Sequence, residues 1–554
     1  MVDLLTTLAI IFIVAGPFLL VANKFELPTV PLLIVAGLVA GVFIEEGLTL
    51  ELARYGIALL VFSFGVGVQF DTVRTVLLDS EIATLGQILI VGSLGIGSGL
   101  AFGIPLQESI YLGIAAALSS TIVGTSLLQK EIRRNLVRGR LAQSIQFVQD
   151  LIALVLLLIL SAETFAMDPI ATQIGYGLML LTGAVFVNRY VFDLLGRLAG
   201  GSSELMIIGA VSLLVLFMSA AEAIGVSIVV GAFAAGLAVR HDQDRYMGLY
   251  NGIESIKDFF VAIFFVTIGA LVAVPTVEKV LLASGLVLLT AIAKPIVTTA
   301  ILIYQGYEAR SATLTSLSID QVSEFALIIA IKALILGFLT QSVFDAIILA
   351  AAVTMITSSL SQRYDEQIYR ALADRGLIVG RHGKIDAWSN CTDDVTDHVI
   401  IVGYGRQGQQ LVETCEAIGQ RYVVIENDPV LRDTVRLECE EFVFGDAMEK
   451  YTWKKANPTA AQLVISTVPI EPLSRRILNL ASGTDTILSA DTVDSAFDLL
   501  DEGALYVTVT DLLAGEQLVQ YVQALIHGDL TPEALRDEQQ RFLENQPEDI
   551  VPTS

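Results

Sequence analysis

Charged residues are scarce in this chain. Only 16% of its 554 residues are Asp, Glu, Lys or Arg, whereas 54% are apolar, and the mean hydropathy is +0.69. Soluble globular proteins carry about 25% charged residues, so the composition excludes a wholly water-soluble protein. Runs of about 20 apolar residues, each long enough to span a bilayer, recur along the first two thirds of the chain. The sequence therefore predicts a protein that crosses a membrane many times.

Basic residues, cysteine and histidine are also few. The 33 Lys and Arg residues against 58 Asp and Glu residues give a net charge of −25, which argues against nucleic acid as a partner. The three cysteines (Cys391, Cys415 and Cys439) and the four histidines are dispersed, without a Cys-x-x-Cys pair. This pattern fits reduced thiols in a cytosol. It predicts neither a disulfide framework nor a metal site, apart from a site for a transported ion.

The acidic residues are distributed unevenly. Residues 361–554 hold 33 of the 58 acidic residues and 16 of the 33 basic ones, so this third of the chain carries −17 of the net charge of −25. We therefore divide the chain into a membrane domain over 1–360, a polar connector over 361–396, a soluble domain over 397–515 and an acidic helix and tail over 516–554.

The membrane domain contains thirteen apolar segments, which we predict to be spans. They cover 3–23, 28–44, 50–69, 82–103, 108–128, 139–162, 172–195, 204–221, 224–239, 253–274, 278–304, 309–335 and 338–360. The first is read as a retained span. Positive charge collects on the cytoplasmic side of membrane proteins. With the N-terminus outside, thirteen of the Lys and Arg residues between the spans or towards their ends lie on the cytoplasmic side and three lie outside. The sequence thus predicts a multi-pass protein of the cell membrane with its N-terminus outside and its soluble domain in the cytoplasm.

Short β-branched runs alternate with helical stretches from Asp397 onwards. The predicted strands are His398–Val402, Tyr422–Glu426, Phe442–Phe444, Leu463–Thr467, Thr486–Ser489 and Leu505–Thr508. Strand–helix alternation of this kind indicates a doubly wound parallel sheet, so we predict an α/β Rossmann-like domain. Helices are also predicted over 364–375 in the connector and over 531–545 in the tail.

Charged side chains inside the spans are the first candidates for function, because a charge at the bilayer centre costs about 2.5–3.5 kcal/mol on insertion scales. The sixth segment contains Gln149 and Asp150, about 11 residues and ~16 Å from its basic end. The eleventh contains Lys294, followed by a proline. A carboxylate can bind either a proton or a cation, so Asp150 is the predicted exchanging group. The sequence leaves open whether Lys294 forms a structural bridge with Asp150, lowers the cost of its ionised form, or binds Gln149 or helix ends.

Two other segments carry polar residues at mid-length. The fifth contains Ser119-Ser120-Thr121, and the twelfth contains Asp320 to Glu324. Such residues can satisfy the backbone of a broken helix. Because the two segments are seven apart, the breaks have opposite orientation, which predicts inverted repeats with crossed, broken helices and a site at the midplane. The hydroxyls of Ser120 and Thr121 are the predicted cation ligands, together with the carbonyl oxygen of Gln149. Helix packing is the alternative for the hydroxyls. A backbone hydrogen bond is the alternative for Glu324, and Asp320 has no assigned role.

A glycine-rich turn follows the first predicted strand. The stretch DHVIIVGYGRQGQQL places Gly403, Gly405 and Gly408 between a strand and a helix, and Glu426 ends the next strand 23 residues after Gly403. This context indicates a dinucleotide-binding turn, in which the helix N-terminus approaches phosphate. Glu426 would accept the ribose hydroxyls and repel a 2′-phosphate, which favours NAD or AMP over NADP. The alternative is a Rossmann sheet that is kept only for dimerisation.

Several stretches together resemble a Kef-type member of the monovalent cation:proton antiporter superfamily, joined to a TrkA-N-like domain of the kind that regulates potassium conductance. They are LSSTIVGTSLLQ (118–129), QFVQDLIAL (146–154), KDFFVAIFFVTIGALV (257–272), AKP (293–295) and QVSEFAL (321–327). The resemblance covers nearly all of residues 1–515, and the Gln-Asp pair marks the branch. Ser323 departs from it, because the family commonly has glycine before the glutamate.

The resemblance implies a transporter, not an enzyme, that exchanges potassium for protons as a homodimer under the control of an adenine nucleotide (NAD, NADH or AMP). The predicted ion site comprises Asp150, Gln149, Ser120, Thr121, Lys294 and Glu324. The predicted nucleotide site comprises Gly403, Gly405, Arg406, Gln407, Gly408, Glu426 and Asp446, the last in the family's Gly-Asp-Ala turn. With one titrating carboxylate, the exchange is predicted to be electroneutral. The alternatives are a sodium/proton antiporter of the same fold and a membrane-tethered NAD-dependent redox enzyme. A channel is disfavoured because no TVGYG-like filter is present.

Overall fold

The computed structural model describes residues 4–25, 27–44, 46–68, 70–133, 137–163, 166–240, 243–273, 276–378, 383–392, 395–428 and 431–544. The chain forms two compact units, which cover Met1–Gly380 and Arg381–Ser554. The final ten residues of the predicted acidic tail lie outside the described residues.

The first unit is helical. Its helices are α1 (Leu4–Lys24), α2 (Thr29–Ala40), α3 (Glu46–Val66), α4 (Phe70–Ala101), α5 (Leu106–Ala117), α6 (Thr121–Leu127), α7 (Gln129–Arg133), α8 (Val137–Ser161), α9 (Met167–Phe186), α10 (Phe192–Leu198), α11 (Ser203–Ala223), α12 (Ile228–Ala238), α13 (Gln243–Ala270), α14 (Val277–Leu288), α15 (Lys294–Tyr304), α16 (Ala309–Ser318), α17 (Glu324–Ile335), α18 (Gln341–Arg363) and α19 (Asp365–Asp374). Each of the apolar segments predicted from the sequence coincides with one of these helices or with two in succession.

Helix length and composition agree with a polytopic membrane domain. Among the described residues, nine stretches are long and apolar enough to cross a membrane. The apolar helices α2 and α12 are shorter, with 12 and 11 residues. The prediction of a multi-spanning helical domain is confirmed, and the number of thirteen crossings stays a prediction.

Two of the predicted spans are broken near their middle. In the fifth, α5 and α6 are separated by an extended stretch, and the hydroxyl of Ser120 accepts a hydrogen bond from the Val123 N–H at 3.2 Å. In the twelfth, α16 and α17 are separated in the same way, and Ser323 Oγ accepts the Phe325 N–H at 3.0 Å. A serine at the N-cap satisfies one of the unpaired N–H groups of the second half-helix. Both breaks lie where the sequence predicts them.

Several helix pairs meet backbone to backbone at glycines, among them α2 with α13 and α3 with α12. A Cβ atom on Gly37 would lie 2.2 Å from the carbonyl oxygen of Val266, so α2 approaches α13 closely. A Cβ on Gly236 would lie 2.3 Å from the carbonyl oxygen of Phe62, so α12 approaches α3 in the same way. Small residues permit this contact between helices in a membrane, where packing rather than the hydrophobic effect drives association.

A π-helical turn, Leu289–Ala293, joins α14 to α15 and directly precedes Lys294 and Pro295. Proline has no N–H to donate to the preceding helical turn, and a wider π turn accommodates that missing hydrogen bond. A second π turn, Val187–Val191, joins α9 to α10. The first turn places Lys294 at the centre of its span, where its side chain is completely buried.

The second unit contains a parallel sheet of six strands. These are β1 (His398–Val402), β2 (Tyr422–Glu426), β3 (Phe442–Phe444), β4 (Ala461–Ser466), β5 (Asp485–Ala490) and β6 (Tyr506–Val509). The strand order is β3-β2-β1-β4-β5-β6, with all neighbours parallel. Every predicted strand is present within two residues of its predicted ends. The order is that of a dinucleotide-binding fold, so the Rossmann-like prediction is confirmed.

The helices of the second unit begin inside the predicted connector. They are α20 (Gly383–Trp388), α21 (Arg406–Ile418), α22 (Arg432–Glu438), α23 (Lys450–Ala456), α24 (Glu471–Leu480), α25 (Val493–Asp501), α26 (Thr510–His527) and α27 (Pro532–Glu544). The predicted helices over 364–375 and 531–545 correspond to α19 and α27. The short helix α20 was not predicted, because six residues show no apolar periodicity. It belongs to the sheet domain, since Trp388 contacts the ring of Phe444 at 5.8 Å between centroids.

Candidate functional site

Asp150 lies in the middle of α8, about 20 Å along the helix axis from its first residue at 1.5 Å per residue. The side chain is 1% exposed. Thr121, the first residue of α6, donates its hydroxyl to Asp150 Oδ2 at 2.5 Å. Asp150 Oδ1 accepts no hydrogen bond from the described residues. The break in the fifth segment thus places the Thr121 hydroxyl against the buried Asp150 carboxylate, whose Oδ1 accepts no hydrogen bond from the described residues.

Gln149 supports the broken helix. Its Oε1 accepts the Ser119 N–H at 2.8 Å, and its Nε2 donates to Gln87 Oε1 at 2.7 Å. Gln87 in turn donates to the carbonyl oxygen of Ala117 at 2.8 Å. The two amides therefore satisfy backbone groups at the end of α5. The oxygen that the sequence analysis assigned to the cation is occupied by a backbone N–H in this arrangement, and its role as a cation ligand stays a prediction.

Lys294 binds the ends of two helices. Its Nζ donates to the carbonyl oxygens of Leu118 and Gln321, each at 3.0 Å. These carbonyls follow the C-terminal ends of α5 and α16, where the helix dipole carries partial negative charge. Of the arrangements that the sequence leaves open for Lys294, the structure has the contact with helix ends.

Glu324 occupies the opposite kind of helix end. Its Oε1 accepts the Ile122 N–H at 3.3 Å, in the first turn of α6, and Glu324 itself begins α17. A carboxylate at a helix N-terminus is favoured by the unpaired N–H groups and by the dipole. This contact is the backbone hydrogen bond that the sequence analysis weighs against direct ion binding.

The two breaks are also bonded to each other, and we call residues 118–121 and 319–324 together the crossing. Ser119 Oγ donates to the carbonyl oxygen of Ile319 at 2.9 Å. The side chain of Gln321 donates to the carbonyl oxygen of Ser120 at 3.1 Å. The sequence positions are about two hundred residues apart, so these bonds tie the two broken segments together beside Asp150.

Sequence reasoning missed three glutamines that line this region. Gln87, Gln146 and Gln321 are all completely buried and bond to backbone of the crossing or of the helix that leads into it. Gln146 donates to the carbonyl oxygen of Ser120 at 2.8 Å and fits only because residue 124 is glycine, where a Cβ would lie 1.9 Å from the amide. The missed signal is the spacing of Gln146, Gln149 and Asp150, which places them on one face of α8.

The arrangement can hold a proton or a small cation at Asp150. An ionised carboxylate without a counter-ion is costly in buried surroundings, and either ligand removes that cost. Thr121 fixes the orientation of one carboxylate oxygen, while the other is open to a ligand. The side chains of Lys294 and Glu324 are bonded to backbone, which leaves them to stabilise helix ends.

The predicted nucleotide turn has three glycines with three different environments. Gly403 has φ +93°, and a Cβ there would lie 2.7 Å from Thr467 Oγ1. A Cβ on Gly408 would lie 2.1 Å from the Gly403 carbonyl oxygen, so this glycine permits the helix to pack on β1. Gly405, at the N-cap of α21, has φ −72°, and no atom lies within 4 Å of a Cβ placed there. The open space at the helix N-terminus is the position where a phosphate would approach.

Glu426, at the end of β2, is bonded to the turn. Its Oε2 accepts the Tyr404 N–H at 2.6 Å, and its Oε1 accepts the N–H groups of Asn427 and Asp428 at 2.7 and 2.8 Å. Burial raises the pKa of this carboxyl above its usual range, although the three backbone N–H groups oppose the shift. Glu426 therefore stabilises the turn itself, in addition to its predicted contact with ribose.

The remaining predicted nucleotide residues surround the same edge of the sheet. Arg406 and Gln407 lie in the first turn of α21, with exposed side chains. Asp446 follows β3, and its Oδ1 accepts the Met448 N–H at 2.9 Å. The structure thus places six of the seven predicted residues in the loops and the helix start that follow β1 and β3, and Glu426 at the end of β2.

The thiol of Cys439 lies near this site, but its surroundings disfavour the reactive thiolate form. Burial raises its pKa to about 11, with Glu438 and Glu416 adding to the shift. A thiol with such a pKa is protonated at neutral pH and is a poor nucleophile.

Comparison with known proteins matches both units to described families. Residues 8–362 match the family described as sodium/hydrogen exchanger, transmembrane, and residues 399–508 match the TrkA-N domain. YbaL of Escherichia coli (strain K12), named as a cation/proton antiporter, is 25% identical over 497 residues, which cover 84% of this chain and 87% of that protein. KefB of Alkalimonas amylolytica, named as a K(+) efflux antiporter, is 25% identical over 518 residues, which cover 88% and 76%.

Among solved structures, the sodium proton antiporter MjNhaP1 from Methanocaldococcus jannaschii is similar at 17% identity, with a TM-score of 0.49, and the match covers 66% of this chain and 98% of that one. The family match over residues 8–362 includes Asp150, both broken helices and Lys294. The chain therefore belongs to the sodium/hydrogen exchanger family of transmembrane proteins and carries a TrkA-N domain in its C-terminal part.

Proposed function

We propose that this protein exchanges a monovalent cation for a proton across the membrane and that Asp150 carries each of them in turn. The observation that supports this proposal is the environment of Asp150. It is buried at mid-length of a span, oriented by Thr121, and has one oxygen without a partner. The hydroxyls of Ser120 and Thr121 and the carbonyl of Gln149 are the further oxygen ligands in this proposal.

Competition at one carboxylate gives the exchange. When a cation binds Asp150, it replaces the proton, because the two neutralise the same charge. The empty, ionised form is costly in the buried site, so the carboxylate changes sides with one ligand or the other. One titrating group then trades one proton for one monovalent cation, and the exchange is electroneutral.

We propose potassium as the cation, with sodium as the second candidate. The first support is the Gln149-Asp150 pair, which marks the Kef-type branch in the sequence. The second is the names of two relatives. KefB is named for K(+) efflux, and KefC of Salmonella schwarzengrund, which is 26% identical over 444 residues, is named for potassium efflux.

Proteoliposomes with the purified full chain test this function. An imposed pH gradient is recorded with an internal dye while potassium or sodium is added, and the membrane voltage is clamped with an ionophore. We expect potassium to collapse the gradient at lower concentration than sodium, with a rate that does not depend on voltage. Asp150→Asn should abolish the exchange.

The matched control is Asp168→Asn, because Asp168 is an exposed aspartate at the start of α9. This variant should exchange at the parent rate. Exchange by Asp150→Asn at the parent rate would show that another group carries the proton. A strong dependence on voltage in the parent would show that the exchange is not electroneutral.

We further propose that an adenine nucleotide (NAD, NADH or AMP) binds the second unit from the cytoplasm and regulates exchange in a homodimer. The open space at Gly405 and the carboxylate of Glu426 support this site. Helix α19 supports a mechanical connection to the ion site, since its side chains are bonded to α8, which carries Asp150, and to α16, which leads into the crossing. Arg138 of α8 donates to Asp365 at 2.7 Å, and Arg310 of α16 donates to Glu366 at 2.9 Å.

Gly405→Val is the variant that tests the nucleotide site most directly. Its φ of −72° and its open surroundings accept a side chain without strain in the empty protein, yet that side chain would fill the phosphate approach. Calorimetry with NAD, NADH, AMP and NADP should show binding of the first three to the parent and to Asp150→Asn, and none to Gly405→Val. If the parent binds none of them, the sheet serves only for dimerisation.

A further inference from the structure

Asp320 lies in the crossing, between α16 and α17, and the exchange at Asp150 does not use it. Its side chain is 0% exposed, and neither carboxylate oxygen accepts a hydrogen bond from the described residues. An isolated ionised carboxylate in such surroundings is very costly, and buried charges are therefore paired. Asp320 thus requires a neighbour of opposite charge.

Lys294 is the cation that acts electrostatically on Asp320, without a direct ion pair between the two side chains. Its ammonium group is 0% exposed and donates to the carbonyl oxygen of Gln321, the residue next to Asp320, at 3.0 Å. The electrostatic interactions divide the four buried charges into two sets. Lys294 and Asp320 act on each other, whereas the charge that acts on Asp150 is that of Glu324. The hydroxyls of Ser358 and Ser361, near the end of α18, are further polar neighbours of Asp320.

We propose that Asp320 is the counter-ion of Lys294 and acts through it as a positioning residue. The ammonium group binds the ends of α5 and α16, where the helix dipoles favour a positive charge, and these helix ends belong to the same crossing as the proposed cation site. Asp320 cancels that charge locally, so that Lys294 holds the helix ends together without repelling the cation at Asp150. From the sequence alone, Asp320 has no assigned role, and Asp150 is one carboxylate that Lys294 could compensate.

The consequence for transport rests on the proposed function. Without Asp320, the full positive charge of Lys294 acts on the cation site. Two unit charges in a protein interior still interact appreciably across several ångströms. Asp320→Asn should therefore raise the KM for potassium by about tenfold or more, which corresponds to about 1.4 kcal/mol, while kcat changes little. Asp320→Glu keeps the charge and should restore the parent KM within about threefold.

A double variant tests the pairing directly. Lys294→Gln keeps a donor for the two carbonyls and removes the charge. Combined with Asp320→Asn, it should return the KM for potassium towards the parent value, because no uncompensated charge remains. A KM that stays as high in the double variant as in Asp320→Asn, or an Asp320→Glu variant no better than Asp320→Asn, would overturn the assignment and leave Asp320 as a packing residue.

Thermal unfolding in detergent tests the same pairing without transport. Each single change strands a buried charge, so Lys294→Gln and Asp320→Asn should each lower the Tm, and the double variant should lose less than the sum of the two. Additive losses would contradict the pairing, since they would mean that Asp320 is neutral by itself.

Asp345→Asn is the matched control. Asp345 is also a completely buried aspartate, and its Oδ2 lies 2.5 Å from Lys279 Nζ. Neither residue belongs to the crossing. Its neutralisation should lower the Tm and leave the KM for potassium unchanged. The two kinds of measurement separate the hypotheses. A parent protein that does not exchange ions contradicts the proposed function, while the unfolding measurements still decide whether Asp320 and Lys294 are partners.

Discussion

The hydrogen bond from Thr121 to Asp150 is the contact at which a break in one helix meets the carboxylate of another. The hydroxyl is the first polar group of α6, and Asp150 lies on the facing surface of α8. Because the bond involves a charged acceptor when Asp150 is ionised, it contributes about 1.5–3 kcal/mol by the usual range for such bonds. Its strength makes Thr121 the residue through which the geometry of the break acts on Asp150, the proposed exchanging group.

Thr121→Val should therefore weaken cation binding. The change keeps the shape of the side chain and removes the donor, so we expect the KM for potassium in proteoliposomes to rise about tenfold or more. Thr121→Ser keeps the hydroxyl and should stay close to the parent. Equal KM values for the parent and the valine variant would show that the hydroxyl has no part in binding.

His398, the first residue of β1, makes the second unit sensitive to acid. The ring is completely buried, its Nε2 lies 2.8 Å from the Ala456 carbonyl oxygen, and burial lowers its pKa. The folded state thus favours the neutral ring. The corresponding stability is present above the ordinary histidine pKa of about 6.5 and is lost as the pH falls through that value towards the lower pKa of the folded protein.

We expect the Tm of the second unit to fall between about pH 7 and pH 5, and His398→Gln to reduce that fall. Tryptophan fluorescence of the full chain measures it, since both tryptophans, Trp388 and Trp453, lie in this unit. His527→Gln is the control, because that histidine is exposed in α26. If His398→Gln is as acid-sensitive as the parent, other groups are responsible.

At the scale of helices, the glycine contacts decide how closely the first unit packs. At Gly236, the backbone of α12 touches that of α3, and a Cβ would also lie 2.7 Å from the Cα atom of Gly65. The neighbouring atoms are backbone and have little freedom to move aside. A side chain can be accommodated there only by separating the helices.

Gly236→Ala should therefore destabilise the first unit by about 1–3 kcal/mol, the usual cost of overpacking. Thermal unfolding followed by helical circular dichroism measures the change. Gly209→Ala in α11 is the matched control, since no atom lies within 4 Å of a Cβ at that glycine. Equal losses in the two variants would mean that the contact between α3 and α12 contributes nothing.

Much of this architecture was predictable at the same scale. All six strands were found because each buried run is short, β-branched and followed by a turn, and both breaks were found because hydroxyls and carboxylates interrupt apolar helices. Helix ends were one of several open partners for Lys294, and the sequence could not decide among them, since the partners are backbone carbonyls of residues 27 and 176 positions away. The same holds for Glu426, whose bonds to three backbone N–H groups depend on the exact path of two loops.

Over the whole molecule, charge is concentrated in the second unit. Residues 361–554 carry a net charge of −17. This stretch begins with the end of the first unit, which includes α19, and continues through the whole second unit. Excess charge of one sign repels itself and opposes compact structure. Salt weakens this repulsion, because the screening length falls from about 10 Å at 0.1 M to about 3 Å at 1 M.

Raising the ionic strength should therefore stabilise the second unit. With choline chloride, whose cation is too large to replace a bare monovalent ion, we expect the Tm from tryptophan fluorescence to rise between about 0.1 and 1 M salt. The circular dichroism transition of the first unit should change less, because residues 1–360 carry a net charge of −8 over a longer stretch. A Tm for the second unit that does not change with salt would show that its acidic groups do not repel one another.

The bonds within the crossing restrict how the site can reach both sides of the membrane. Hydrogen bonds of Ser119, Gln321 and Glu324 join the two broken segments to each other. Lys294 bonds to both of them. Opening a path through the middle of the crossing would rupture several buried hydrogen bonds at once, each costly to leave unmade. Displacing the crossing together with Asp150, Ile122 and Lys294, as one rigid body, ruptures none of them. The proposed exchange would then use a movement at the borders of the crossing, and we expect substitutions that stiffen those borders to slow turnover while leaving cation affinity intact.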